Sequence, residues 1–118
     1  MTHSPESPNP QPLSQAAVHI LIAIGTDERH GYAIMSDIAT ITGGAVRMGP
    51  GTLYTTIKRL LAEGLIEESG ERPDPALDDQ RRRYYRLTAQ GRTVASSEVR
   101  RLDALVTAAR PWALESPS

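Results

Sequence analysis

The run from Arg47 to Glu68, RMGPGTLYTTIKRLLAEGLIEE, constrains this chain more than any other stretch. Pro50 suits the first turn of a helix, because the N–H it lacks would have had no intrahelical partner there. Leu53, Ile57, Leu60 and Leu61 recur at helical spacing and define a buried stripe. At roughly 100° per residue, Thr52, Thr55, Lys58 and Arg59 project from the other side, with Tyr54 at the border. Gly64 ends this helix. Leu65 to Glu68 is then a short strand candidate, and Arg81 to Leu87, within RRRYYRLTAQG, is its partner. In that partner Tyr85 and Leu87 share one face and Tyr84 and Arg86 the other. The intervening ERPDPALDDQ is too rich in proline and aspartate to extend either strand and reads as a wing loop with a mobile tip.

Upstream, Ser14 is an N-cap candidate for a first helix, and Leu13, Ala17, Ile20, Leu21 and Ile24 fall on one face of it before Gly25-Thr26-Asp27 closes the segment. A second helix fits Gly31 to Thr42, with Ile34, Ile38 and Ile41 on one stripe and Gly43-Gly44 as its stop. Downstream, Thr88 is an N-cap candidate for a last helix running to about Arg110, where Pro111 argues against continuation. Within it Ala95, Val99, Leu102, Val106 and Ala109, with Leu105 beside them, form a narrow heptad-like seam that wants a partner helix. The predicted fold is mainly α with a small β-hairpin wing: a winged helix-turn-helix over residues 13–88 followed by a C-terminal dimerisation helix over 89–110. Residues 1–12, with four prolines among Ser, Asn and Gln, are expected to be disordered, and 111–118 to be a tail.

Composition limits what such a domain can do. With 118 residues it buries only a modest core, which a shared dimer core would supplement. The formal charge is only −1, yet it is segregated: Arg81 to Arg101 holds seven arginines against Glu98 alone, whereas Glu63 to Asp79 holds seven acids against Arg72. For binding a polyanion, distribution matters more than the sum. The chain has no cysteine, which excludes disulfides, thiol catalysis and Cys-based zinc sites, and His3, His19 and His30 lack metal-ligand spacing. No metal or other cofactor is expected. A nucleophile elbow, a Walker loop and a carboxylate pair on a regular element are all missing, so an enzyme is not expected. The start MTHSPESPNPQP is no secretory signal and no run approaches the ~20 apolar residues of a membrane span, so a cytoplasmic protein is the default expectation.

A helix with Thr, Tyr, Lys and Arg on its free face fits the major groove of duplex DNA, although many surface helices carry a polar face of this kind. The small Gly49-Pro50-Gly51 start lets backbone N–H groups approach a phosphate closely. Arg81, Arg82 and Arg83 are candidates for phosphate contact from the wing, the alternative being a solvated charge run. A winged-helix protein-interaction module without DNA binding is the rival function, consistent with the acidic loop and near-neutral charge.

Four separated segments, HGYAIM (His30 to Met35), GPGTLY (Gly49 to Tyr54), RLLAEGLIEE (Arg59 to Glu68) and RRRYYRLTAQG (Arg81 to Gly91), resemble the PadR family of transcriptional regulators in order and spacing. The resemblance implies a homodimer on a pseudo-palindromic operator, mostly repressing and often released by a small apolar or aromatic effector. It places Tyr32 and Tyr54 near the DNA face, where both could equally serve as packing residues, and makes the arginine-bearing hairpin the wing. Expected DNA contacts are therefore Tyr32, Thr52, Tyr54, Thr55, Lys58, Arg59, Arg81, Arg82 and Arg83. The expected dimer interface comprises Leu13, Val99, Leu102, Leu105, Val106 and Ala109. Because only eight residues follow Arg110, the chain resembles the short subfamily with a single terminal helix, so an effector pocket would form between protomers. Trp112 is the candidate to line it; alternatively it anchors a frayed tail.

Overall fold

The computed structural model describes residues 13–71 and 83–114. The N-terminal tail, the tip of the wing loop, and with it Arg81 and Arg82, lie outside the described residues.

Local chemistry sets the helix starts. Helix α1 (Gln15–Ile24) begins where the Ser14 hydroxyl accepts the Ala17 N–H at 3.1 Å, satisfying one of the donors a helix start leaves open. Helix α2 (Gly31–Ile41) is capped by an imidazole: His30 Nδ1 accepts the Ala33 N–H at 3.2 Å, and the ring meets Tyr84 edge-on at 5.3 Å between centroids. Helix α3 (Pro50–Ala62) starts behind Gly49, which offers no side-chain cap, and ends at the turn made by Gly64, whose φ of 75° is a conformation glycine adopts at no steric cost.

The three helices meet in one core. Ile20, Leu21 and Ile24 from α1, Ile34 and Ile38 from α2, and Leu53, Ile57 and Leu60 from α3 are all at most 2% exposed. Large aliphatic side chains of this kind contribute roughly 1.5–3 kcal/mol each on full burial, which makes this cluster the main support of the fold. The sheet closes one side of it. Strands β2 (Ile66–Glu71) and β3 (Arg83–Leu87) pair antiparallel, with Ile66 opposite Leu87 and a bulge between Glu68 and Gly70. Ile66 and Tyr85 deliver the inward side chains. Burial pushes the Tyr85 phenol above its usual pKa, and the nearby Glu68 charge adds to that shift.

The last helix, α4 (Ala89–Ala113), starts at Thr88, whose hydroxyl accepts the Gly91 N–H at 2.9 Å. Among its residues only Gly91 is fully buried. Val94 and Ala95 pack against the core from the first turns, and the rest of the helix runs along the surface beside α1.

Four features depart from expectation. A third strand, β1 (Arg29–His30), pairs antiparallel with β3 and gives the sheet order β1-β3-β2. Strand β2 begins at Ile66 rather than Leu65 and runs to Glu71, because Leu65 is taken up by the turn after α3: its N–H reaches the Leu60 carbonyl and its own carbonyl accepts the Thr88 N–H. Ile41 does not join the buried stripe of α2; it is 61% exposed, since among the described residues no element covers the last turn of that helix on its side. Pro111 does not stop α4, which continues to Ala113. The proline forfeits its own backbone donor and crowds the carbonyl one turn back, yet only two helical residues follow it, and the Leu114 N–H still bonds the Arg110 carbonyl at 3.4 Å. Among the described residues no helix is long and apolar enough to cross a membrane, and no group of three His, Cys, Asp or Glu residues could hold a metal ion.

Candidate nucleic-acid interface

With Leu53, Ile57 and Leu60 fixed in the core, the opposite side of α3 must face outward. Thr52, Thr55, Lys58 and Arg59 are all exposed there, as the helical period requires. Arg59 is partly engaged: its Nε lies 3.4 Å from Glu63 Oε2 one turn on. An exposed pair of this type is worth well under about 1 kcal/mol, so Arg59 can exchange it for another anion at little cost.

The two tyrosines differ. Tyr32, in the first turn of α2, is 51% exposed. Tyr54 is half-buried and packs against the core, with its ring over the first residue of α2. A Cβ built on Gly31 would lie 2.5 Å from the Tyr54 hydroxyl oxygen and 2.8 Å from the ring, so Gly31 is glycine because the phenol occupies its side-chain space. Tyr54 thus spaces α2 from α3, and this packing role, left open by the sequence, is the one the geometry supports. The signal was present in HGYAIM as an isolated glycine at a helix start, but its partner was not.

The two described arginines of the wing are not free charges. Arg86 Nε sits 2.7 Å from Glu67 Oε2, and Arg83 Nε 3.8 Å from Glu68 Oε1, so two acids of β2 face two arginines of β3. All four side chains are about half exposed, and a phosphate would compete with the carboxylates for them. Behind the wing, Arg29 of β1 pairs with Asp37 of α2 at 3.3 Å and fastens the third strand to the helix pair.

Along the last helix, Val99, Leu105 and Val106 of α4 are 46%, 56% and 40% exposed, with Leu102 and Ala109 half-buried. Leu13, expected with them, is half-buried against the core of its own chain. The apolar face is wider than the seam: exposed Ile22 and Ile41 join Leu102 around a shallow cleft of about 180 Å³. Sequence reading missed both, although Ile22 lies off the buried stripe of α1 and was in principle visible as an apolar residue in the wrong place. A larger cleft of about 440 Å³ lies between α1 and α4, apolar at Leu21, Ile22, Leu87 and Val99 and bordered by Arg92 and Arg100. Trp112 stands 76% exposed on the last turn of α4, away from both clefts.

Known proteins share this arrangement. The family described as the Transcriptional regulator PadR-like family matches residues 20–97. Transcriptional regulator Rv3488 of Mycobacterium tuberculosis is 35% identical over 95 residues, covering 79% of this chain and 82% of that protein. Among solved structures, Bacillus subtilis PadR in complex with operator DNA is similar with a TM-score of 0.64 and 23% identity. That likeness covers 75% of this chain and 48% of the other, so this chain spans about half the length of the Bacillus subtilis protein. A PadR-like transcriptional regulator from Bacillus cereus matches over nearly its whole length, 92%, and over 86% of this chain, with a TM-score of 0.61 and 22% identity. At these identities the structural likenesses establish the winged-helix fold.

Proposed function

Since this chain belongs to the PadR-like family of transcriptional regulators, we propose that two copies of it bind a pseudo-palindromic operator and repress transcription, with α3 of each copy in the major groove. The observation that carries this reading is the exposed Thr52, Thr55, Lys58 and Arg59 face on a helix whose other side is locked into the core. A rigidly held helix with short hydroxyl side chains beside long cationic ones can combine close backbone approach with base-edge and phosphate contacts. The uncapped start of α3 at Gly49 leaves room for a phosphate near its first N–H groups. The solved complex of Bacillus subtilis PadR with operator DNA supports duplex DNA as the ligand class.

The dimer in this proposal forms through Val99, Leu102, Leu105, Val106 and Ala109 of α4, with Ile22 and Ile41 extending the contact. Dimeric helix-turn-helix proteins place their recognition helices about 34–36 Å apart, one turn of DNA, which sets the expected half-site spacing. A small apolar or aromatic effector would release the operator by entering between protomers beside α4, with the exposed Trp112 as the aromatic side chain that lines its pocket. Such a regulator works in the cytoplasm.

Selection of bound sequences from a random duplex pool, followed by titration of the winner at several salt concentrations, tests the whole reading. The expected result is a site with two-fold symmetry and an affinity that falls steeply with salt, as release of counterions from phosphates requires. No enrichment, with no salt-sensitive binding to any duplex, would overturn it in favour of a protein-binding winged helix.

A further inference from the structure

The junction between α3 and α4 is tied more tightly than a chain turn needs. The α3 end passes its hydrogen bonds on without a gap: Glu63 N–H to Arg59, Gly64 N–H to Leu61, and Leu65 N–H to Leu60. The start of α4 then locks onto the same turn. Thr88 donates its hydroxyl to the Gly64 carbonyl at 2.6 Å and its N–H to the Leu65 carbonyl at 3.1 Å, while the hydroxyl oxygen accepts the Gly91 N–H. Gly91 closes the clasp: a Cβ on it would overlap the Leu65 carbonyl, so the first turn of α4 rests directly on that peptide. One threonine side chain thus caps one helix and fastens it to the end of another, although the two contacts are unrelated in sequence.

We infer that this clasp makes α3 and α4 a single rigid lever, and that Thr88 is a positioning residue that sets the distance between the two recognition helices. The inference rests on the reading above, in which α4 pairs with its copy and α3 enters the groove. Beyond Ala95 most of α4 is exposed, and apart from its packing along α1 the distal half is joined to α3 through its root. At that root the clasp removes the slack. Mispairing, or an effector wedged beside α4, would then swing both recognition helices out of register with the half-sites rather than bend the junction.

The chain has no cysteine, so Ala62→Cys places one spin label per protomer on the last residue of α3, outside the proposed DNA contacts, in the full-length protein. The parent is expected to give one narrow distance distribution between protomers. Thr88→Val removes both hydroxyl bonds and should broaden it, while Thr88→Ser should restore it. Thr88→Asp keeps an acceptor for the Gly91 N–H but cannot donate to Gly64, so it preserves the helix cap, folds if Thr88→Val does not, and should broaden the distribution alone. On DNA, Thr88→Val and Thr88→Asp should lose roughly three- to thirty-fold of the parent's discrimination between operators whose half-sites differ in spacing by one base pair. Affinity for a single half-site should stay within about two-fold, which a variant unfolded in large part would not manage. If the Thr88→Asp dimer keeps the parent's narrow distribution and spacing preference, the lever is refuted while the DNA reading stands. A parent with no inter-protomer distance and no duplex binding refutes both.

Discussion

Ile20, Ile34 and Leu53, from three different helices, meet with no exposure at all, whereas Val99, Leu105 and Val106 on the distal half of α4 remain 40–56% exposed. The side chains are of the same kind and the helices equally regular, so the difference lies in what surrounds them. The helix-turn-helix half closes its own core. The distal half of α4 has apolar residues that no other described element of the chain buries, and an isolated helix is marginal without such contacts. A domain built this way is complete in one region and leaves an apolar face bare in the other, where the proposed dimer would cover it.

The largest effect should come from the self-sufficient half. Leu53→Ala leaves a cavity among residues that cannot collapse around it and should cost about 2–5 kcal/mol. Thermal unfolding should show the destabilisation at every protein concentration. The paired substitution Leu102→Glu and Val106→Glu should act differently, placing charges in the interface proposed to form with a second copy. Sedimentation should report a folded monomer or an unfolded chain, and any surviving transition should no longer shift with concentration. A double-Glu variant that stays a folded dimer would erase the contrast between the two regions.

A smaller effect is expected on the outer face of α3. Arg59→Ala and Thr55→Ala should leave the melting temperature nearly unchanged and weaken operator binding by roughly 1–3 kcal/mol for each base edge the helix no longer reaches. Equal operator affinity in both variants and the parent would mean that this face reads nothing. The smallest change per residue is expected at the wing, where neutralising Arg81, Arg82 and Arg83 should lower affinity for all duplexes about equally and flatten the salt dependence. Because Arg83 already faces Glu68, its share should be less than that of an unpaired phosphate-binding arginine. Weakening confined to one operator position would instead make the wing a sequence reader.

What could be read in advance divides along the same physical line. Ser14 as a cap and the polar face of α3 follow from contacts a few residues apart, and they were legible. So was the hairpin, through its alternation. Strand β1 was not, because two residues carry no period and become a strand only when β3 lies beside them. Gly31 and Gly91 looked like ordinary glycines in their motifs; their necessity comes from Tyr54 and from Leu65, which only the folded chain brings near. Ile41 was placed on a buried stripe since period alone cannot tell a face covered by its own chain from one left bare. The pairing of Arg83 and Arg86 with β2 glutamates depended on strand register, which sequence left open at the level of single residues.

The two-residue strand β1 also bears on how the chain acquires its fold. Arg29 and His30 stand immediately before α2, yet their sheet partners Tyr85 and Tyr84 come from near the other end of the domain. The imidazole that caps α2 rests edge-on against that same Tyr84. Closing so long a loop is slow relative to forming local helices, because its entropy is spent before the pairing rewards it. Helices α1, α2 and α3 can therefore form early, each from local contacts, while the strand before α2 gains its sheet partner only when the wing arrives. During synthesis a chain emerging as far as Gly70 already contains every residue of the helix-turn-helix and still lacks the strand that secures its first helix, so the binding surface is finished only after the hairpin has been made.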